Sequence, residues 1–157
     1  MFDVKPITSP VHNDCGATCL KMLLAYYGIE VDLKTLVKDC NTTFRGCTGK
    51  DIAVAGRKYG LDMKSWKKKD APFPPSDPDA REINVPTLEE DRPAIIWWDF
   101  DHWCVLCGKD DDGKIVINNP DRGRYRMSES LFNFYYCGVS ITNGVPERLP
   151  EEEPEEA

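Results

Sequence analysis

Two residues far apart in this chain are suited to thiol chemistry, Cys15 and His102. Cys15 stands near the start of NDCGATCLKMLLAYYG, whose pattern predicts a helix that begins at Asp14 or Cys15 and ends at Gly28. A helix N-terminus has a partial positive charge and free N–H groups, and these stabilise both a thiolate and an oxyanion. His102 opens a strand-like run, where its imidazole can serve as the base that takes the thiol proton.

A third group has to hold the base, and the segment NNPDRG offers two candidates, Asn119 and Asp121. A nucleophile, a base and an orienting amide or carboxylate are the groups that thiol hydrolysis needs. The competing interpretation is structural, because free cysteines are among the most buried residues and a lone histidine is more often a core or surface residue. Of the seven cysteines, we assign these to the core: Cys19, Cys40, Cys47, Cys107 and Cys137.

The secondary structure that must position these groups is predicted to be helical in the first part of the chain. The Cys15 helix is followed by a predicted helix with Asp32 as N-cap and by a third from about Thr48 to Tyr59. After a short strand, the segment from Lys67 to Pro86 is rich in proline and charge and predicts a long surface excursion.

The second half of the chain has the sequence pattern of β-strands. Four are predicted, with a helical turn capped by Ser128 before the last: AIIWW, HWCVLCG, KIVIN and YYCGVSIT. Helices followed by such strands predict an α+β fold, with the N-terminal helices packed against an antiparallel β-sheet. Trp97, Trp98 and Trp103 fall near His102, either in the core or in the wall of a cleft.

Length and composition narrow the class of protein. A chain of 157 residues forms about one domain, which we predict over residues 1–145, followed by an acidic, flexible tail over 146–157. The net charge of −7 argues against nucleic acid as a partner. With no signal-peptide pattern and no apolar run of roughly 18 residues, we expect a cytoplasmic chain without a membrane segment.

Neither a cofactor nor a metal is expected. The pair Cys104 and Cys107 has the spacing of two zinc ligands. Residues three apart in a strand point to opposite faces, and no second pair of ligands follows.

Several blocks of the sequence resemble the bacteriocin-processing peptidases, papain-like cysteine peptidases that cut double-glycine leader peptides. DCGATCLKMLLAYYG is similar to the family's cysteine motif at the start of its first long helix. Later blocks agree in order, and the similarity extends from about Asp14 to Phe132: TGKDIAVAGRKYGL, RPAIIWW, DHWCVLCG and NPDRG. The resemblance implies a papain-like fold and a peptide or protein substrate.

On this resemblance Cys15 matches the nucleophile, His102 the general base and Asn119 the third catalytic position, where the family usually has aspartate. The Asn119 amide oxygen is expected to accept a hydrogen bond from the imidazole, without adding charge. The family's oxyanion glutamine, six residues before the cysteine, corresponds to Ser9, and the chain contains no glutamine. One missing oxyanion donor costs on the order of 3 kcal/mol.

The residues next to the missing glutamine are the candidates to replace it. We expect the Cys15 backbone N–H to remain available, with Ser9, Asn13 and Asp14 as site-adjacent residues. His12, three residues before the cysteine, has two interpretations, a position beside the site or a solvated loop residue, and we expect the second.

The function implied is hydrolysis of a peptide bond after small residues, through a Cys-His-Asn triad and a thioester. The alternatives are a catalytically degenerate domain that binds peptides or serves as a structural subunit, and another thiol reaction such as amide transfer. We expect a stand-alone peptidase. Association of this chain with a larger assembly or with a separate transporter is compatible with that expectation.

Overall fold

The helices gather in the first part of the chain, and a seven-stranded sheet forms most of the rest. The computed structural model describes residues 1–69, 71, 77–83 and 91–146. Its helical elements are a 3₁₀ turn (His12–Asp14), α1 (Cys15–Tyr26), α2 (Leu33–Asp39), α3 (Gly49–Lys58) and α4 (Glu129–Tyr135). Its strands are β1 (Met63–Lys68), β2 (Arg81–Ile83), β3 (Ala94–Trp98), β4 (His102–Lys109), β5 (Ile115–Asn119), β6 (Gly123–Met127) and β7 (Tyr136–Asn143).

The helices begin where the sequence places their caps. Asp32 accepts a hydrogen bond from the Thr35 backbone N–H at the start of α2, and Ser128 caps α4 in the same way. At α3, Thr48 and Asp51 form a reciprocal capping box, which satisfies two backbone donors that the helix leaves free. The predicted helices are therefore confirmed, including the helical turn before the last strand.

The sheet has the order β2-β1-β7-β3-β4-β5-β6. The expected α+β fold with an antiparallel sheet is confirmed, with one difference: β2 pairs with β1 in parallel. Two strands were not predicted. Strand β2 lies inside the segment read as a surface excursion, and β6 is the half-buried edge strand GRYRM, whose charged residues hide its alternation. The tail predicted over 146–157 falls, from residue 147 onward, outside the described residues.

The sheet separates two cores. Helices α1 to α3 pack on one face, and α4 packs on the other with Phe132 against Trp98. Cys104 and Cys107 lie on opposite faces, one in each core, as their spacing predicts. The buried side of α1 includes Met22 and Leu23, whereas Tyr26 at the helix end is exposed.

Gly16 marks the closest approach between α1 and its neighbours. A Cβ at this position would overlap the Cys47 sulfur and lie 3.2 Å from side-chain atoms of Ile52 and of Trp103. The start of α1 therefore fits against β4 and α3 only because residue 16 has no side chain.

We expect Gly16→Ala to lower the free energy of unfolding by about 1–3 kcal/mol, because the added methyl overpacks a close-packed contact. Denaturant unfolding checks this value. In a Cys47→Ala background the main obstacle is gone, and the same change is expected to cost less. An equal cost in both backgrounds would contradict the assigned contact.

Candidate active site

Cys15 is the first residue of α1, and it lies in the core beneath β4 with 5% of its surface exposed. Burial raises the pKa of its thiol to about 11; the Trp103 backbone N–H, which bonds to the sulfur, opposes the shift, and the carboxylates of Asp121 and Asp101 add to it. Cys15 therefore rests as a protonated thiol whose sulfur contacts the residue next to His102.

His102 is the first residue of β4, buried at the edge of the sheet, and both of its ring nitrogens have partners. The carboxylate of Asp101 is bonded to Nδ1, and the side-chain nitrogen of Asn119 lies 3.1 Å from Nε2. The pairing of β4 with β5 brings Asn119 to this point from the adjacent strand. The structure thus places two of the predicted site residues in direct contact.

The orientation of the Asn119 amide differs from the expected one. Its oxygen accepts a hydrogen bond from the Asp121 backbone N–H at 2.9 Å, so its nitrogen is the atom that faces the imidazole. The amide therefore donates to Nε2, and the proton of the neutral ring belongs on Nδ1, where it is donated to Asp101. A second proton on Nε2 would meet the amide N–H, so this orientation of Asn119 offers that nitrogen no acceptor.

His12 is closer to the site than a solvated loop residue would be. Its ring is half exposed, but Nδ1 lies 2.8 Å from the Asp121 carboxylate. The His12 and His102 rings meet edge to face, with centroids 5.8 Å apart. His12 is thus exposed to solvent, as expected, and it also lies beside the site, the alternative that its position three residues before Cys15 left open.

The predicted oxyanion neighbours have different surroundings. Ser9 is buried; its N–H donates to the Pro120 carbonyl at 2.9 Å, and its hydroxyl oxygen accepts from the Val11 N–H at 3.3 Å. The Cys15 backbone N–H donates to the His12 carbonyl, so the expectation that this N–H stays available is not met.

Asn13 and Asp14 precede the cysteine in the 3₁₀ turn, and both are half-buried. The Asp14 carbonyl accepts from the Thr18 hydroxyl at 2.8 Å, which fixes the first turn of α1. Among the described residues the Asn13 side-chain amide has no hydrogen-bond partner. Of the predicted neighbours, Asn13 therefore keeps a free side-chain donor, two residues before Cys15.

A cleft of about 470 Å³ opens beside His102 and Asn119 on the α4 side of the sheet. Trp98 lines it, whereas Trp97 and Trp103 pack together on the helix side, with ring centroids 4.9 Å apart. Sequence reasoning missed Asp101 as the partner of His102, since a carboxylate next to a histidine in the sequence gives no indication that the two side chains meet.

Helices on one side, a sheet on the other, and a cysteine at the start of the helix that faces the histidine strand are the architecture of papain-like cysteine peptidases. Comparison with protein families agrees with this class. The sequence pattern of the Peptidase C39 family matches residues 3–144, and the chain belongs to that family.

Two similar proteins are bacterial secretion proteins. The colicin V secretion/processing ATP-binding protein CvaB of Escherichia coli is 26% identical over 132 residues, which are 82% of this chain and 16% of that protein. The lactococcin-G-processing and transport ATP-binding protein LagD of Lactococcus lactis subsp. lactis is 26% identical over 136 residues, 82% of this chain and 17% of that protein. The chain thus spans about a sixth of the length of these relatives.

Solved structures share the fold. A double glycine motif protease from an AMS/PCAT transporter, solved in complex with the leader peptide, superposes with a TM-score of 0.74 at 27% identity, covering 89% of this chain and 90% of that one. The peptidase domain of Streptococcus ComA gives a TM-score of 0.71 at 22% identity, covering 88% and 96%.

Two further observations concern the described part of the chain. It contains no helix that is both long and apolar enough to cross a membrane. Within the same residues, no group of three or more His, Cys, Asp and Glu side chains is arranged to hold a metal ion.

We expect Asn119→Asp to lower the pH at which Cys15 becomes reactive. One carboxylate oxygen would keep the Asp121 N–H, and the other would accept a proton from Nε2, so the imidazolium is stabilised instead of opposed. The rate of Cys15 alkylation by iodoacetamide at pH 7, followed by peptide mapping, should rise by about tenfold. Asn133→Asp is the control, since it adds the same charge at an exposed position of α4. An unchanged pH profile would mean that residue 119 does not govern the reacting ring.

Proposed function

We propose that this chain is a cysteine peptidase in which Cys15 attacks a peptide carbonyl and His102 transfers the protons. The observation that supports this best is the set of contacts around Cys15 and His102. The Cys15 sulfur bonds to the Trp103 backbone, and the preceding residue, His102, is buried and held by Asn119. A histidine whose neighbour in the chain contacts a thiol at a helix start is positioned for the proton transfer that thiol catalysis needs.

The reaction starts when His102 accepts the thiol proton. In the resting tautomer Nδ1 already holds the ring proton, so this proton first moves to Nε2, where the Asn119 amide turns to accept it with its oxygen. Nδ1 then has a free lone pair for the thiol proton once it leaves Asp101, and that contact is a weak restraint because 61% of the Asp101 side chain is exposed to solvent. The thiolate then adds to the carbonyl carbon, and the imidazolium gives its proton to the leaving amine as the carbon–nitrogen bond breaks. Water, deprotonated by His102, adds to the thioester and regenerates the thiol.

The oxyanion formed on thiolate addition needs hydrogen-bond donors, and we assign this role to Asn13. Its amide is free among the described residues, whereas the Cys15 N–H is engaged with the His12 carbonyl and Ser9 is turned toward Val11. Asn13 thus serves as the oxyanion donor, the role of the glutamine six residues before the cysteine in the family that the sequence resembles.

The substrate we propose is a peptide cleaved after small residues, such as a leader that ends in two glycines. The printed names of the similar proteins support this class, since they describe a double glycine motif protease and processing proteins for colicin V and lactococcin G. A separate transporter or a larger assembly in the cytoplasm is the partner consistent with this substrate.

Cleavage of a synthetic double-glycine leader peptide, followed by mass spectrometry, tests the proposal. Cys15→Ser and His102→Ala are each expected to lower kcat/KM by about a thousandfold or more, because the two act as a unit. Cys107→Ala, which removes a thiol at the other end of β4, is the control. Cleavage that survives Cys15→Ser would refute the assignment.

Alkylation separates the enzyme from a degenerate peptide-binding domain. In His102→Ala, Cys15 should react along one curve that rises toward pH 11, whereas the unaltered protein should show a further phase at lower pH from the cysteine–histidine pair. Identical profiles, together with peptide binding but no cleavage, would favour the degenerate domain.

For the oxyanion, we expect Asn13→Ala to lower kcat by about a hundredfold with little change in KM, because one donor to the transition state is lost. Asn13→Gln should recover part of the rate, and Asn13→Asp should not. Steady-state kinetics on the same peptide checks this. An equal loss in KM would show that Asn13 binds the substrate instead.

A further inference from the structure

The cleft beside His102 has an aromatic wall that the proposed reaction does not use. Trp98, Tyr125 and Tyr135 line it together with Met127 and Leu131. Its volume of about 470 Å³ has room for two or three residues of an extended peptide. Such walls bind aromatic and aliphatic side chains through burial of apolar surface.

The end of the cleft near His102 is acidic. Asp99, Asp101 and Asp121 line it there, and Arg122 beside Asp121 is the cation among them, so three carboxylates face one guanidinium. At the opposite end, Arg126 is paired with the carboxylates of Asp110 and Asp112, so its charge is largely balanced. A positively charged group entering beside His102 would therefore meet a negative field.

The backbone of Asp99 is held in a tight turn. Asp99 and Phe100 both have left-handed backbone angles, with φ of 51° and 60°. The Asp99 N–H donates to the Tyr135 carbonyl at 2.9 Å, which ties this turn to the end of α4. The carboxylate is thus presented at the cleft from a tight turn between β3 and β4.

The direction of the substrate follows from the reaction. The leaving nitrogen must lie within reach of His102, because this residue protonates it. His102 and Asn119 line the cleft, whereas Cys15, which holds the acyl part, does not. The chain beyond the scissile bond therefore leaves Cys15 on the cleft side.

We propose that this cleft binds the first residues after the scissile bond and prefers peptides that are basic there, with an apolar or aromatic neighbour. The inference rests on the proposed function for its direction, and on the cleft's own shape and charge for its ligand. The acidic end also favours the new α-amine that cleavage creates. Selection by this protein would then act on the released part of the substrate as well as on the residues before the bond.

The test uses double-glycine peptides that are identical up to the scissile bond and have Lys, Ala or Glu at each of the three following positions. We expect kcat/KM for the best Lys peptide to exceed that of its Glu counterpart by about five- to tenfold at low salt, and the ratio to shrink at high salt. Asp99→Asn should reduce the ratio to about twofold, and it preserves the turn because asparagine tolerates a positive φ. Tyr125→Ala should weaken the preference for an apolar neighbour.

Asp62→Asn is the control, since it removes an exposed carboxylate from the start of β1, away from the cleft. Equal rates for Lys and Glu peptides, or a Lys preference that Asp99→Asn leaves intact, would overturn the proposal while the peptidase function stands. If no peptide is cleaved, calorimetry with the Lys- and Glu-containing fragments alone decides. Preferential binding of the Lys fragment that Asp99→Asn abolishes would support the cleft, and no preference would overturn it.

Discussion

The contact between the start of α1 and the start of β4 is the constraint on which the rest of this molecule depends. It joins the helical layer to the sheet at one point, where the Cys15 sulfur meets the Trp103 backbone and Gly16 lets the surfaces touch. Any displacement of α1 along the sheet would separate the thiol from the histidine strand. The same packing that stabilises the fold therefore sets the geometry of the proposed reaction.

Close packing at this point also determines the resting state of the thiol. Burial and the two nearby carboxylates keep Cys15 protonated, so the chain does not expose a reactive thiolate in the absence of substrate. In a site of this kind the cysteine and the histidine become reactive together, when the thiol proton is transferred to the imidazole.

Much of the fold could be predicted from the sequence, because caps and hydrophobic periodicity are local signals. Strand β2 was not predicted, because its three residues lie in a charged segment and form a strand only by pairing with β1. The positions of Cys15, His102 and Asn119 also followed from motifs. What failed was side-chain detail: the Asn119 amide is oriented by the Asp121 backbone, and the Cys15 N–H is engaged by the turn before it. Both contacts span only two or three residues, but a sequence does not tell which way an amide turns or how such a turn closes.

The orientation of the Asn119 amide determines which charges the His102 ring can use. An aspartate at this position could accept from the Asp121 N–H and from the imidazole at once, whereas an asparagine can satisfy both only while the ring is neutral. The negative charge that the ring needs in its protonated state must then come from elsewhere, and Asp101 is the carboxylate in contact with it. Because Asp101 also lines the cleft, a cationic residue bound there would draw on the same carboxylate. A cationic peptide in the cleft would therefore compete with His102 for the Asp101 carboxylate.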